Sequence, residues 1–239
     1  MIPKKIHYFW FGGNEKPKSV VKCINSWRKY CPDYEIIEWN ESNFDIHCMP
    51  FVEQAYEAKK YAFVSDVARL IKVYEEGGIY FDTDVEVIKP IDALLDNVTF
   101  FGFENDESVS SGLAFGSEPG TPIMRKHIAQ YENINFINED GSYNQKACPK
   151  YLAELMQSEG LILNGKEQQV KEVHVYPADY FNPYDSLTGK LKKTENTYSI
   201  HWYDASWSDT SQIQLKINRI IRRIFGVNSL NCIKKILKK

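Results

Sequence analysis

Two aspartates separated by one residue interrupt an apolar stretch of the chain. Asp82 and Asp84 follow Ile79, Tyr80 and Phe81, and residues of these apolar types suit a buried, pleated strand. If the strand continues, residues two apart leave the same face, so the two carboxylates would lie side by side. Carboxylates that lose hydration together repel each other, and a hard cation such as Mn²⁺ or Mg²⁺ relieves that repulsion. The alternative is a solvated Asp-Thr-Asp turn that closes a hairpin.

A helical pattern precedes the aspartates and carries further polar groups. Residues 55–76 show an apolar stripe at helical spacing, which ends at Gly77-Gly78. Ser65, Asp66 and Arg69 fall within about one turn of this helix, where residues three apart are neighbours. Asp66 and Arg69 could form a surface ion pair worth at most about 1 kcal/mol. Beside a metal site, the same pair could hold sugar hydroxyls and phosphate oxygens.

Taken together, the two patterns resemble a known family. The run Ser65-Asp66-x-x-Arg69, followed by Gly77-Gly78-Ile79-Tyr80-x-Asp82-x-Asp84, is similar to the signature of DXD-containing sugar transferases. This group is glycosyltransferase family 32, which includes capsular-polysaccharide and Och1-like mannosyltransferases. It is distantly similar to the glucosyltransferase domains of large clostridial toxins. The resemblance is strongest in the first half of the chain, and the basic C-terminal segment lies outside it.

The resemblance implies a role for each matching residue. Asp84 would bind the divalent metal directly, and Asp82 would contact both the metal and the nucleotide ribose. Asp66 and Arg69 would hold hydroxyls of the transferred sugar, and Arg69 would also reach the diphosphate. Two further residues would line the same donor pocket: Ser65 and Tyr80.

The first strand supplies another candidate. Residues 6–10 alternate in the manner of a strand, and Gly12-Gly13 after them allow a sharp exit with close backbone approach to a ligand. In open α/β sheets, ligands lie beyond the carboxyl ends of strands. The resemblance implies that an aromatic ring here stacks on the nucleotide base, and Trp10 is the candidate; plain core packing is the alternative. His7, inside the strand, is interpreted as a core or edge histidine with its hydrogen bonds made.

The segment 199–207 resembles the end of the transferase domain in relatives. The resemblance implies that His201 is the third metal ligand, and neutral imidazole suits Mn²⁺. Ser206 and Trp207 would close over the donor phosphates. Ala205 stands where relatives carry glycine, and a late strand followed by aromatic packing is the alternative.

The composition fits one α/β domain. Of the 239 residues, 43% are hydrophobic and 14% aromatic, which is enough to bury a sizeable core. Short strands that alternate with helices predict a mixed, mainly parallel sheet flanked by helices over residues 1–210, and the resemblance implies a GT-A-like fold. The chain enters a strand at once and holds no apolar stretch of bilayer length, so a cytoplasmic location is expected. Five cysteines without close metal spacing are expected to be reduced thiols: Cys23, Cys31, Cys48, Cys148 and Cys232.

The last part of the chain, residues 211–239, differs in charge. From Thr210 onward there are eight lysines and arginines and no acidic residue. Since the whole chain has a net charge of −3, the residues before Thr210 carry −11. Isoleucines recur at helical spacing up to a break at Gly226. Basic amphipathic helices of this kind bind anionic membrane surfaces, and the alternative is a helix that caps the core.

These observations predict a metal-dependent hexosyltransferase. It would move a sugar from a nucleotide-sugar, expected to be a UDP-sugar, to a saccharide or lipid-linked saccharide in surface polysaccharide synthesis. The resemblance implies retention of anomeric configuration and Mn²⁺ or Mg²⁺ as cofactor. The acidic body disfavours nucleic acid as a partner. The alternatives are a non-catalytic sugar- or metal-binding module and a haloacid-dehalogenase-type phosphatase, although that class does not favour Glu86 two residues after the second aspartate.

Overall fold

A computed structural model describes residues 1–203 and 212–226 of the chain. Its seven helices in these ranges are α1 (Lys18–Tyr30), α2 (Pro50–Glu57), α3 (Tyr61–Glu76), α4 (Pro122–Glu132), α5 (Cys148–Glu159), α6 (Ala178–Phe181) and α7 (Gln212–Phe225). The ten strands are β1 (Lys5–Phe9), β2 (Glu35–Trp39), β3 (Gly78–Phe81), β4 (Val85–Val87), β5 (Thr99–Asn105), β6 (Ser108–Ser110), β7 (Ala114–Ser117), β8 (Gln168–Val170), β9 (Val173–Tyr176) and β10 (Ser199–His201).

Eight of these strands form one mixed sheet. Their order is β2-β1-β3-β7-β5-β9-β8, with β6 beside β5. Strands β1, β2, β3, β5 and β9 run in one direction, while β6, β7 and β8 run against them. The predicted mixed, mainly parallel sheet flanked by helices is therefore confirmed. Because β1, β3 and β5 run the same way, their carboxyl ends meet at one edge of the sheet.

Helices cover both faces of the sheet, and the sequence of β3 shows why both must be covered. Tyr80 points into one hydrophobic cluster, which α2, α3, α4 and α5 complete. Ile79 and Phe81 point into the other, with α1 and α6. Alternate residues of a strand leave opposite faces, so a strand that is apolar at every position is stable only between two layers.

The predicted helix over residues 55–76 is in fact two helices. Helix α2 ends at Glu57, Lys59 adopts a left-handed backbone conformation with φ 56°, and α3 begins at Tyr61. The amide of Lys60 donates to the carbonyl of Ala55 and closes the first helix. The stop after the second helix is as predicted, since α3 ends at Glu76 and Gly77 follows with φ 65°.

The strand that carries the apolar run stops before the two aspartates. Strand β3 ends at Phe81, and the amide of Val85 donates to the carbonyl of Asp82 over 3.0 Å, which closes a tight turn. Asp82 and Asp84 therefore lie in this turn and not on a continuing strand. The turn does not close a hairpin either, because β4 leaves the main sheet and pairs with β10.

The last described element is α7, which confirms the predicted helix up to Gly226. The rest of the basic tail lies outside the described residues. Among the described helices, none combines the length and the apolar character needed to cross a membrane.

Candidate metal and donor site

The small sheet of β4 and β10 brings together residues that are distant in sequence. In this antiparallel pair, His201 lies opposite Val85, and the amide of Trp202 donates to the carbonyl of Asp84 over 3.0 Å. The indole of Trp27 on α1 donates to the carbonyl of Val85 over 2.8 Å and holds β4 from the other side. The imidazole therefore lies beside the turn that carries the aspartates.

Asp82, Asp84 and His201 form a compact group of metal-ligand type. One atom from each lies within 4.8 Å of the others, and His201 Nε2 lies 2.9 Å from Asp84 Oδ1 and 3.9 Å from Asp82 Oδ2. Two carboxylates and an imidazole suit Mn²⁺ or Mg²⁺, Mn²⁺ being the better match for the nitrogen ligand. His201 Nδ1 is buried without a hydrogen-bond partner among the described residues, so Nε2 is the nitrogen that faces the aspartates.

The electrostatics of this group also favour a cation. Burial raises the pKa of Asp82, with Asp84 adding to the effect and Arg69 opposing it. Burial alone would lower the pKa of His201, but the charge of Asp84 and its hydrogen bond raise it overall. The two carboxylates thus favour a proton on the histidine. A divalent ion would replace that proton, since a bound imidazole must be neutral.

Arg69 connects the metal group to α3, because its guanidinium contacts Asp82 as well as Asp66. Its Nη1 donates to Asp82 Oδ1 over 3.0 Å and to the Tyr80 hydroxyl over 3.3 Å. Its Nη2 forms an ion pair with Asp66, one turn earlier on α3, and donates to Cys148 Sγ over 3.2 Å. The Tyr80 hydroxyl in turn donates to Asp82.

These contacts define what Arg69 can do. The residue is 2% exposed, and both terminal nitrogens are engaged by protein groups. In this arrangement the guanidinium orients the carboxylates of Asp66 and Asp82 and supplies their countercharge. Asp66 itself is only partly buried and has an oxygen available to a ligand hydroxyl. Ser65 is half-buried beside it on α3.

Trp10 lies at the same edge of the sheet, directly after β1. Its ring is half-buried, whereas the neighbouring Phe9 and Phe11 are packed in the core. Its indole nitrogen donates to the carbonyl of Asn14 over 2.7 Å, which holds the ring in place. The loop between them requires Gly12, because φ is 87° and a Cβ there would lie 2.5 Å from the Tyr61 ring.

His7 is confirmed as a core histidine. It is fully buried, its Nε2 lies 2.8 Å from the carbonyl of Gly77, and its Nδ1 accepts from the Trp39 indole over 3.0 Å. Both ring nitrogens are therefore used inside the fold.

The structure adds site residues that sequence reasoning missed. Gly112, before β7, lies close to the metal group: a Cβ there would make tight contacts, 3.2 Å from Asp82 Oδ2 and 3.4 Å from Ser110 Oγ. Ser111 is fully buried, and its hydroxyl has no hydrogen-bond partner among the described residues. Cys148 begins α5 and contacts Arg69 as described above. Gly112, Ser111 and Cys148 form one wall of the site. The run Ser110-Ser111-Gly112 is the only sequence signal for this wall, since nothing in the sequence marks Cys148.

Glu104 and Tyr203 complete the wall on the other side. The Tyr203 hydroxyl donates to Glu104 Oε1 over 2.9 Å, and its ring centroid lies 4.0 Å from that of His201. Tyr203 adopts φ 51°, a left-handed conformation that is uncommon for an aromatic residue and recurs at functional sites. Glu104 is the last but one residue of β5, so a further carboxylate reaches the edge of the sheet that carries the metal group.

Six of the predicted residues thus form one connected site, and Trp10 and Ser65 lie at its margin. The other two predicted residues, Ser206 and Trp207, lie outside the described residues. The connected six are Asp66, Arg69, Tyr80, Asp82, Asp84 and His201.

Parts of this chain are similar in sequence to known proteins. Residues 17–101 match the family described as "Glycosyltransferase sugar-binding region containing DXD motif". Inositol phosphoceramide mannosyltransferase 1 of Schizosaccharomyces pombe is 28% identical over 145 residues, which are 56% of this chain and 44% of that protein. Inositol phosphoceramide mannosyltransferase 3 of the same yeast is 30% identical over 139 residues, which are 56% of this chain and 38% of that protein. The chain therefore spans less than half the length of these relatives.

A solved structure extends the likeness over nearly the whole fold. A glycosyltransferase involved in the glycosylation of the major capsid of PBCV-1 superposes with a TM-score of 0.50 at 13% identity, covering 90% of this chain and 98% of that one. At this identity the likeness concerns the fold alone. The region that matches the family, residues 17–101, includes Asp66, Arg69, Tyr80, Asp82 and Asp84, five of the six connected residues. The predicted resemblance is confirmed over residues 17–101, which match the DXD-containing glycosyltransferase family.

Proposed function

We propose that this chain transfers a hexose from a nucleotide-sugar, with UDP-sugar as the donor class, in a reaction that depends on Mn²⁺ or Mg²⁺. The observation that carries the proposal is the group of Asp82, Asp84 and His201, joined through Arg69 to Asp66. It combines ligands for a hard cation with polar groups for a sugar at one edge of the sheet. Residues 1–210 would form the transferase domain and residues 211–239 a basic tail.

The proposed role of each site residue follows from its contacts. Asp82, Asp84 and His201 would hold the ion, which when bound supplies Lewis-acid stabilisation of the departing diphosphate. Asp66, fixed by Arg69, would accept hydrogen bonds from hydroxyls of the transferred sugar. Trp10 would stack on the base, since its ring is the accessible one after β1.

The acceptor is proposed from the family resemblance. We assign a saccharide or lipid-linked saccharide of surface polysaccharide synthesis, with retention of configuration, because the sequence resembles capsular-polysaccharide transferases. The two yeast relatives are named for a lipid acceptor, inositol phosphoceramide. A lipid-linked acceptor would place the chain in the cytoplasm at the inner face of the membrane.

Replacement of one metal ligand tests the proposal. In Asp84→Asn the carboxylate loses its charge but keeps its shape, so we expect Mn²⁺-dependent hydrolysis of the donor to fall at least 100-fold. The donor is chosen as the nucleotide-sugar whose binding with Mn²⁺ raises the melting temperature most, which tests UDP-sugars against other nucleotide-sugars directly.

The matched control is Glu107→Gln, which makes the same kind of change at an exposed residue beyond β5. It should hydrolyse the donor like the unmodified protein, and circular dichroism should show both variants folded. Hydrolysis that persists in a chelator, or in Asp84→Asn, would contradict the proposal. Cleavage of phosphomonoesters in preference to nucleotide-sugars would favour a phosphatase instead.

A further inference from the structure

Helix α7 presents its apolar residues outward. Ile217, Ile220, Ile224 and Phe225 are 44%, 56%, 66% and 74% exposed. Spacings of three and four place the three isoleucines on one face of the helix, and Phe225 flanks that face. A helix at the surface of a globular protein ordinarily buries this face.

The polar side of α7 holds the helix to the protein instead. The Arg219 guanidinium donates from Nε to the carbonyl of Ser186 and from Nη2 to that of Tyr203, each over 3.1 Å. It also lies over the Tyr184 ring, 5.4 Å from its centroid. Arg222, one turn later, is half-buried on the same side. The amphipathic order is thus inverted: Arg219 and Arg222 face the protein, and the four exposed apolar residues face outward.

The charges around the exposed face of α7 indicate which kind of surface can bind it. Positive charge dominates the tail, which has eight lysines and arginines and no acid from Thr210 onward, and Arg223 is exposed on α7 beside the apolar face. A second copy of the chain docked through the same face would bring two such basic segments together, which is unfavourable. An anionic lipid surface offers the opposite charge and an apolar layer for the isoleucines. Each basic residue near such a surface contributes about 1 kcal/mol.

We propose that the outward face of α7 (Ile217, Ile220, Ile224 and Phe225) docks on the surface of an anionic lipid bilayer. The helix would lie in the plane of the interface with these side chains inserted below the headgroups. The acidic body, with its net charge of −11 before Thr210, would be repelled by the same surface. Insertion is therefore confined to the tail, and the orientation of the protein on the bilayer follows.

The docked helix would hold the candidate site near the bilayer. Arg219 binds the carbonyl of Tyr203, two residues after the metal-ligand candidate His201. The rim of the site next to Tyr203 would thus lie beside the lipid surface. The conclusion that the site lies near the bilayer has a consequence for the acceptor only if the proposed function holds. In that case, a saccharide carried on a lipid would be a better acceptor than a free saccharide in solution.

Sedimentation with vesicles tests the docking without donor, acceptor or metal. The full chain is mixed with vesicles of phosphatidylcholine containing about 30% phosphatidylglycerol, and with vesicles of phosphatidylcholine alone. We expect binding to the anionic vesicles that weakens in high salt, because charge contributes to it. The double variant Ile220→Ser and Ile224→Ser should bind at least 10-fold more weakly. The control Ile162→Ser changes an isoleucine that is 64% exposed elsewhere on the protein, and it should bind like the unmodified chain.

Three results would overturn the docking. They are the absence of binding to anionic vesicles, equal binding of the double variant, and a dimer in light scattering that the double variant abolishes. The last would show that a second copy covers the face. Because no donor is present, these results are independent of the proposed function, which fails if Asp84→Asn hydrolyses donor normally. The preference for lipid-carried acceptors fails separately, if anionic vesicles bind the protein but a lipid-linked glycoside added to them is used no better than its water-soluble counterpart.

Discussion

Arg69 shows how one residue serves both fold and site. The sequence predicts a ligand-binding arginine paired with Asp66, and the structure shows a buried group that also orients Asp82, Tyr80 and Cys148. A guanidinium has the planar array of donors that such a junction needs, whereas an ammonium group is a single point charge. Its main effect in this geometry is to position the carboxylates that are proposed to bind the metal and the sugar.

Arg69→Lys should therefore damage both stability and activity. Loss of the forked contacts leaves buried carboxylate and hydroxyl groups with fewer partners, so we expect the free energy of unfolding to fall by roughly 3 kcal/mol. Urea unfolding measures that change, and donor hydrolysis should fall at least 10-fold at temperatures where the variant is folded. Arg125→Lys, at an exposed surface pair, is the control and should change neither quantity measurably. An unfolding free energy equal to that of the unmodified protein would contradict the role of Arg69 as a junction.

Trp10 allows a prediction about binding alone. Stacking of a base on an aromatic ring is worth about 1–3 kcal/mol, so Trp10→Ala should raise the KM for the donor roughly 5- to 150-fold. Hydrolysis at saturating donor should change little, because a ring stacked on the base would bind the donor equally in the ground state and in the transition state. Trp10→Phe keeps a smaller ring and should restore part of the affinity. If both variants bind donor normally, Trp10 is part of the structural core only.

At the scale of elements, α4 carries a titratable group inside the fold. His127 is fully buried; its Nδ1 lies 2.9 Å from Gln130 Oε1, while Nε2 has no partner among the described residues. Burial lowers its pKa to about 4, the contact with Gln130 opposes this, and the charge of Arg69 adds to it. The imidazole is therefore neutral in the folded protein at neutral pH.

This lowered pKa predicts a loss of stability in acid. Above pH 6.5 the residue is neutral in both states and has no effect; between pH 6.5 and 4 only the unfolded chain takes up the proton. The free energy of unfolding should fall by roughly 3 kcal/mol across that interval from this residue. In His127→Phe that part of the slope should vanish, which urea unfolding at several pH values can measure. Equal slopes in the two proteins would contradict a buried neutral histidine.

For the molecule as a whole, the shared direction of β1, β3 and β5 determines where chemistry can occur. Trp10 and the aspartate turn follow the carboxyl ends of β1 and β3, and Glu104 lies near the carboxyl end of β5, so they lie along one edge. A ligand that spans this edge would bind only the folded protein. At a concentration 100 times its Kd it should stabilise the fold by about 2.7 kcal/mol.

We therefore expect Mn²⁺ and UDP together to raise the melting temperature more than the sum of their separate effects. The diphosphate and the side chains would share one ion, so each ligand completes the site for the other. Differential scanning fluorimetry measures the shifts, and Asp84→Asn should abolish the excess. Shifts that are merely additive in the unmodified protein would argue against a shared site.

Much of the site was predictable from local sequence. The alternating apolar residues of β3, the glycines after α3 and the spacing of Asp66, Arg69, Asp82 and Asp84 all depend on short-range geometry. The sequence was ambiguous where two structures fit the same local pattern. An apolar run looks the same whether the strand continues past Phe81 or ends in a turn at Asp82. The break before α3 was missed because the helical period hardly changes across it.

By itself, the sequence determined the α/β class, the layers on both faces of the sheet and the identity of the acidic and basic groups. These features follow from the spacing of apolar and charged residues within short segments of the chain. Only the tertiary structure decided that Arg69 is enclosed by four side chains, that Cys148, Gly112 and Glu104 border the site, and that α7 turns its apolar face outward. Those features depend on strand order and on contacts between residues far apart in the chain. No local pattern encodes them, since each arises from the way separate elements pack against one another.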